Sequence, residues 1–415
     1  MNILFKHIQQ LLQIRPNEEK LVRGQAMAEL PLIEHAYLLV ENGRISSFGH
    51  MEDCPSGDFD QEIDASGRLL LPSWCDSHTH LVYAGNRIQE FEWRLQGRTY
   101  AEIAEAGGGI LNSAKKLQDC PEEELFHQSQ SRLEALLKLG TGAIEIKSGY
   151  GLSVEAELKM LRVIRRLRKA YDLPVQSTLL GCHALPQEFK GRKDEYVSQV
   201  IHELLPLAAE EGLIDFVDIF CEKGYFDLMD TQRLIEAGKE MGFPAKIHVN
   251  QFHSMGGIEV AVQSGALSVD HLEVLTEADL QALRGGETIP VALPACSFFL
   301  DLPYTPARQI IESGLPLALA SDFNPGSAPT GNMNWVVATA SVKMGLTPAE
   351  AINAATLNGA YAMGLSNEVG SITVGKRANL LLTKPLPNYA ALTYHFGEHQ
   401  LHQVFLGGQL IVTHP

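Results

Sequence analysis

Eight apolar runs recur along the middle of this chain, and stretches with helical periodicity separate most of them. The runs are LLLPSWCDSHTH, GAIEIKS, VQSTLLGCHA, DFVDIFCE, AKIHV, ALSVDH, TIPVALP and LPLALASD, placing eight strands over roughly residues 74 to 322. Segments such as PEEELFHQSQSRLEALLKL and SVEAELKMLRVIRRLRKAY lie between them. The repeat is about 35 residues, the length of one strand–helix unit, so the spacing predicts an α/β fold with an eight-stranded parallel (β/α)8 TIM barrel.

The flanks read differently. AYLLVENGRISSFG is two apolar runs around Asn42-Gly43, a hairpin signal. GSITVGKRANLLLT and HQVFLGGQLIVT alternate strand runs with glycine turns near the other end. These predict a small β-sandwich-like domain assembled from both termini, residues 1–71 and 366–415, around a catalytic barrel over 72–365. The first 25 or so residues carry no usable motif. A chain of 415 residues accommodates a barrel of roughly 250 residues and a second body.

Lys and Arg number 33 against 50 Asp and Glu, a formal charge of −17. That argues against nucleic acid or an anionic membrane as partner. An anionic substrate would need a local cationic clamp. The six cysteines include no CxxC pair, and a chain this size needs no disulfide staples. The N-terminus does not read as a signal peptide, and no apolar run approaches the roughly 18 residues of a membrane span. A cytoplasmic protein is expected, with a homodimer as the default assembly.

In such a barrel, chemistry sits where strands end and loops begin. The first strand ends in His78-Thr79-His80, the third in Cys182-His183, the fifth in His248, the sixth in Asp270-His271 and the eighth in Ser321-Asp322. His78 and His80, two apart on an extended strand, point to one side and can grip one divalent metal. His248 and Asp322 could complete three imidazoles and a carboxylate, a set that suits zinc or iron. Ser321-Asp322 would also suit a helix cap, and His271 a core position. Their places at strand ends favour chemistry, with His271 polarising a carbonyl or passing a proton.

Lys147-Ser148-Gly149-Tyr150-Gly151 follows the second strand, and Phe323-Asn324-Pro325-Gly326-Ser327 follows Asp322. Both read as turns able to approach a ligand closely. Ala106-Gly107-Gly108-Gly109-Ile110 reads either as a lid or as a linker; without a following GK[ST] it is no phosphate loop. Arg87, seven residues after His80, is placed to clamp a carboxylate.

The pattern WCDSHTHLVYAGNR, GGGI, EIKSGYGL, GCHALP, KIHVNQF, VDHLE, SDFNPGS and ANLLLT resembles the imidazolonepropionase family of metal-dependent amidohydrolases over roughly residues 30 to 415. HTH and the eighth-strand Asp are common to the superfamily; KSGYGL and DFNPGS are much narrower. The resemblance implies that His78, His80, His248 and Asp322 hold the metal and that Arg87, Tyr150, His183 and Gln251 contact substrate. It implies that Asn324, Gly326 and Ser327 form the loop around substrate and product. His271 and Asp322 would be the catalytic pair. The implied reaction is hydrolysis of 4-imidazolone-5-propanoate, a small anionic substrate, to N-formimidoyl-L-glutamate. Lys147 ends the second strand, the wrong place for the carboxylated bridging lysine of two-metal relatives, so one metal ion, zinc or iron, is implied. Three positions depart from the family pattern: Asn250 stands for a usual Asp, Cys182 for a small residue and Asn379 for a usual Asp. Another mononuclear amidohydrolase, such as a heterocycle deaminase, would share the histidines and Asp322 but not the two loops. A non-catalytic scaffold would tend to lose the metal ligands.

Overall fold

The structure is a computed structural model that describes residues 1–99, 102 and 106–415. Five strands open the chain: β1 (Asn2–Leu12), β2 (Leu32–Glu41), β3 (Arg44–His50), β4 (Gln61–Asp64) and β5 (Arg68–Pro72). Eight follow in the middle: β6 (Trp74–Asp76), β7 (Thr141–Lys147), β8 (Val175–Cys182), β9 (Phe216–Cys221), β10 (Lys246–Val249), β11 (Ser268–His271), β12 (Ile289–Ala292) and β13 (Ala318–Leu319). Three close it: β14 (Leu380–Pro385), β15 (Leu401–Leu406) and β16 (Gln409–Thr413).

The terminal strands form one sheet in the order β16-β15-β14-β5-β1-β2-β3, with β4 also paired to β1. Residues from the two ends of the chain thus meet at the β14–β5 pairing, where Leu381 faces Leu71. Ile3, Phe5, Leu70, Leu380 and Phe405 share one core cluster on this sheet. Asn42 and Gly43 both have positive φ, 50° and 77°, which turns β2 into β3 with the twist the hairpin requires. The central strand β1 was not anticipated. Its alternation is broken by a register shift between Phe5 and Ile8, with His7 at φ 56°.

The eight middle strands pair in sequence order, β6 to β13, and every pairing is parallel. The two edges meet beyond the strands proper. The Asp322 N–H donates to His78 O at 3.0 Å and the His80 N–H to Phe323 O at 2.9 Å. Helices cover the outside, so strands such as β7 and β9 are buried on both faces.

The barrel interior is not wholly apolar. Glu145, Lys147, Asp218, Lys246 and Asp270 are all 0% exposed. Lys147 Nζ lies 2.7 Å from Glu145 Oε1, 2.8 Å from Asp218 Oδ2 and 3.7 Å from Asp270 Oδ2, and Lys246 Nζ lies 3.0 Å from Glu145 Oε2. Two cations among three carboxylates offset most of this buried charge where water cannot. Asn379 links barrel to terminal sheet: its amide donates to Gly142 O at 2.7 Å and accepts from the Gly407 N–H at 2.8 Å.

Candidate metal and substrate site

The strand ends converge as their sequence positions imply. His78, His80, His248 and Asp322 are all nearly or fully buried at the same end of the barrel. His78 Nε2 and His80 Nε2 lie 3.6 and 3.5 Å from Asp322 Oδ1. The ring centroids of His78 and His248 are 4.4 Å apart. One donor atom each from His78, His80 and Asp322 falls within a 4.8 Å group, and so do those of His78, His248 and His271.

The charge state of the rings suits a cation. Burial holds His78, His80 and His248 well below the ordinary histidine range, and the Lys147 charge reinforces this for His78 and His248. Neutral imidazole is the ligating form. Among the described residues, His78 Nε2, His80 Nδ1 and His248 Nε2 have no hydrogen-bond partner. Buried polar atoms rarely go unpaired. The unpartnered Nε2 atoms of His78 and His248, with His80 Nε2 3.5 Å from Asp322 Oδ1, fit a divalent metal of zinc or iron type.

The charged floor reaches these rings from below. His78 Nδ1 is 2.6 Å from Asp270 Oδ2. His248 Nδ1 is 2.8 Å from Asp218 Oδ2, close in distance though off the hydrogen-bonding angle, and the His248 N–H donates to Asp218 Oδ1 at 3.1 Å. A carboxylate behind an imidazole fixes its orientation and raises its basicity. Sequence reasoning passed over Asp218, Glu145 and Lys246. Their signal was present: Glu145/Lys147 and Lys246/His248 are polar residues two apart inside apolar strands.

Two loops shape the opening. Glu157, fully buried, accepts from the N–H groups of Gly149, Gly151 and Leu152 at 2.8, 2.7 and 2.8 Å, pinning the turn that presents Tyr150. A Cβ on Gly151 would meet Glu157 N at 2.5 Å, so the glycine is required by close approach. His183 stacks on His80 at 5.1 Å, and burial depresses its pKa to about 4. Asn324 spends its amide within its own loop: Oδ1 accepts from the Gly326 and Ser327 N–H groups at 2.8 Å each, and Nδ2 donates to Asp322 O and Ser327 Oγ at 2.7 Å each. Ser327 Oγ in turn donates to Asp322 Oδ2 at 3.3 Å.

Asn324 therefore braces the loop from within. Asn250, at φ 56°, is buried with an unpartnered Nδ2. Asn tolerates this backbone region better than most residues.

Above the rings lies a cleft of about 220 Å³, lined by Arg87, Tyr150, His183, Gln251, Asn324, Gly326 and Ser327, among others. A smaller chamber of about 50 Å³ beneath it reaches His80, His248, His271 and Asp322. The two share Tyr150, His183, Phe220, Gln251, Asn324 and Ser327. Every site residue expected from the sequence thus lines one of these two connected spaces, apart from His78, which lies behind its partners. Arg87 donates to Glu90 Oε2 through Nε at 2.7 Å and also through Nη2. Gly107 and Gly109 of the glycine run have φ of 83° and 86°, and the run leads into the helix Ile110–Asp119 beside the cleft.

His271 closes the far side. It has φ 89°, and its Nδ1 is 3.3 Å from Glu273 Oε1. Burial works against a charge on this ring, but Glu273, Asp322 and Asp270 outweigh it and raise its pKa. The arrangement can hold a cation, present a carboxylate and an imidazole to a bound molecule, and offer a guanidinium at the mouth.

Residues 69–411 match the model of the amidohydrolase family. The chain belongs to that family. Within it the chain stands with the imidazolonepropionases. It is 58% identical to the imidazolonepropionase of Christiangramia forsetii and 56% identical to that of Flavobacterium johnsoniae, over 99% of this chain and 100% of each relative. Among solved structures, guanine deaminase of E. coli superposes with a TM-score of 0.73 at 14% identity, covering 100% of both chains; that likeness concerns the fold.

Proposed function

We propose that this protein is an imidazolonepropionase, hydrolysing the cyclic amide bond of 4-imidazolone-5-propanoate to N-formimidoyl-L-glutamate in histidine degradation. The reading rests on the buried rings of His78, His80 and His248 gathered with Asp322 beneath a cleft with Arg87 in its wall, with His78 Nε2 and His80 Nε2 3.6 and 3.5 Å from Asp322 Oδ1. The full-length likeness to imidazolonepropionases supports the substrate.

His78, His80, His248 and Asp322 would hold one divalent ion, zinc or iron. When bound, such an ion acidifies water and polarises a carbonyl. Asp322, its carboxyl pushed up to about 6 by burial, takes the proton of the attacking water and returns it to the leaving ring nitrogen. His271 stabilises the charge that develops on the carbonyl oxygen. Arg87 exchanges its Glu90 partner for the propionate carboxylate, and Tyr150 adds a hydroxyl donor. His183, Gln251, Ser327 and the backbone at Gly326 line the ring's place, with Asn324 bracing their loop. Fixing the ring over the attacking water is an entropic contribution. Among the described residues no helix is long and apolar enough to cross a membrane. The six free cysteines accord with a reducing cytoplasm, and a homodimer is the simplest assembly.

The second reading is deamination of a heterocycle, favoured by the fold shared with guanine deaminase. Supplying the imidazolone and an aminated purine in parallel separates the two. Loss of the imidazolone's ultraviolet absorption without ammonia release from the purine is expected; the reverse pattern would replace the proposal.

A further inference from the structure

Behind the catalytic face of His271 lies a group of donors that the proposed reaction does not use. Glu273 follows β11 by two residues, and Cys296 sits in the first turn of the helix Pro294–Leu300, after β12. His271, Glu273 and Cys296 are 3%, 5% and 0% exposed. One nitrogen, one oxygen and one sulfur from these residues lie within 4.8 Å of one another. Among the described residues this is the one such candidate group that contains a cysteine.

Three features distinguish it from ordinary buried polarity. Glu273 Oε2 has no hydrogen-bond partner although its side chain is buried, while Oε1 meets His271 Nδ1 at 3.3 Å and accepts from Ser297 Oγ at 3.4 Å. Cys296 Sγ accepts a hydrogen bond from Gln251 Nε2 at 3.3 Å, so a sulfur lone pair already meets a polar donor. The charges also balance: a thiolate and a carboxylate together neutralise a dication, whereas the ring cluster at His78 offers a single carboxylate. Metal–ligand bonds of about 2.0 to 2.3 Å span most of the present spacing, so the donors need draw in only slightly.

We propose that His271, Glu273 and Cys296 form a second, weaker binding site for a thiophilic divalent cation such as Zn²⁺ or Cd²⁺, and that filling it inhibits the enzyme. Binding releases to solvent the thiol proton of Cys296 and any proton on the His271 nitrogen that ligates, and Glu273 binds through its carboxylate. The inhibition rests on the catalytic role proposed for His271, because the cation takes that ring out of the reaction. The binding itself does not rest on that role. Soft sulfur makes the site selective for cations of this kind over Mg²⁺.

The experiment titrates Cd²⁺ into enzyme already carrying one equivalent of metal, and reads the thiolate-to-cadmium charge-transfer band without substrate. Wild type should develop the band as a second equivalent binds; Cys296→Ala should lose it while keeping the first equivalent. Glu273→Gln, which leaves all six thiols in place, should weaken the second equivalent at least tenfold and serves if the alanine variant fails to fold. In parallel, Zn²⁺ beyond one equivalent should inhibit wild type, with the inhibition constant raised at least tenfold in Cys296→Ala. No second equivalent, or a band unchanged in both variants, overturns the site. A normal band in a protein without imidazolone hydrolysis would leave the site standing and remove the proposed reaction instead.

Discussion

His78 Nδ1 stands 2.6 Å from Asp270 Oδ2, with both side chains fully excluded from solvent. Asp270 is itself held by Ser268 Oγ at 2.6 Å and by the Lys147 charge. The ring therefore cannot turn, and its other nitrogen is committed to the space shared with His80 and Asp322. Removing such a partner typically costs 10- to 100-fold in metal affinity. Asp270→Ala should weaken metal binding by about that factor in a chelator competition. Affinity equal to wild type would mean that packing alone orients His78.

His271→Ala should retain its metal and lose turnover, by something like two to three powers of ten if the ring stabilises carbonyl charge. Metal analysis beside steady-state kinetics separates the roles. Metal content falling in step with activity would make His271 a ligand of the catalytic ion.

Arg87→Ala should lower kcat/KM for the propionate substrate by tenfold or more, about 1.4 kcal/mol of transition-state stabilisation, and Arg87→Lys by about tenfold because the planar fork is lost. A Cβ at Gly326 would come within 2.2 Å of Arg87 Nη1, so Gly326→Ala should reproduce much of the loss with the charge still present. A ring analogue lacking the carboxylate should be nearly indifferent to all three changes. Equal losses on both substrates would assign Arg87 to loop support.

The strand-end residues were legible because a parallel barrel forces function to one end of every strand, and HTH, KSGYG and DFNPGS sit there. The floor beneath was less legible. In GAIEIKS and DFVDIFCE the charged residues interrupt apolar runs, and only three-dimensional closure shows that Lys147 faces Asp218, 71 residues away. Strand β1 escaped because its bulge at His7 disrupts the period of two. Asn324, expected to contact substrate, also closes its own turn through its amide, a local role that a motif does not reveal.

His399 offers a pH test remote from the site. Burial, with His414 and Lys384 nearby, depresses its pKa from 6.5 to about 4, and its Nε2 has no partner. Between those values the unfolded chain binds a proton that the folded protein refuses, so this residue costs stability as pH falls through that window. His399→Gln should therefore gain on wild type in melting temperature from pH 7 to pH 4.5. A constant difference across the series would contradict the assignment.

Hydrolysis of the imidazolone should require one metal, held by His78, His80, His248 and Asp322. The most direct measurement strips the enzyme with chelator, returns zinc or iron(II) in steps, and follows the substrate's ultraviolet absorption at each step. Activity should vanish on stripping and return to its maximum at one equivalent per chain, and His248→Ala and Asp322→Ala should recover neither metal nor rate. Full activity in the stripped protein, or a maximum reached only at two equivalents, would contradict it.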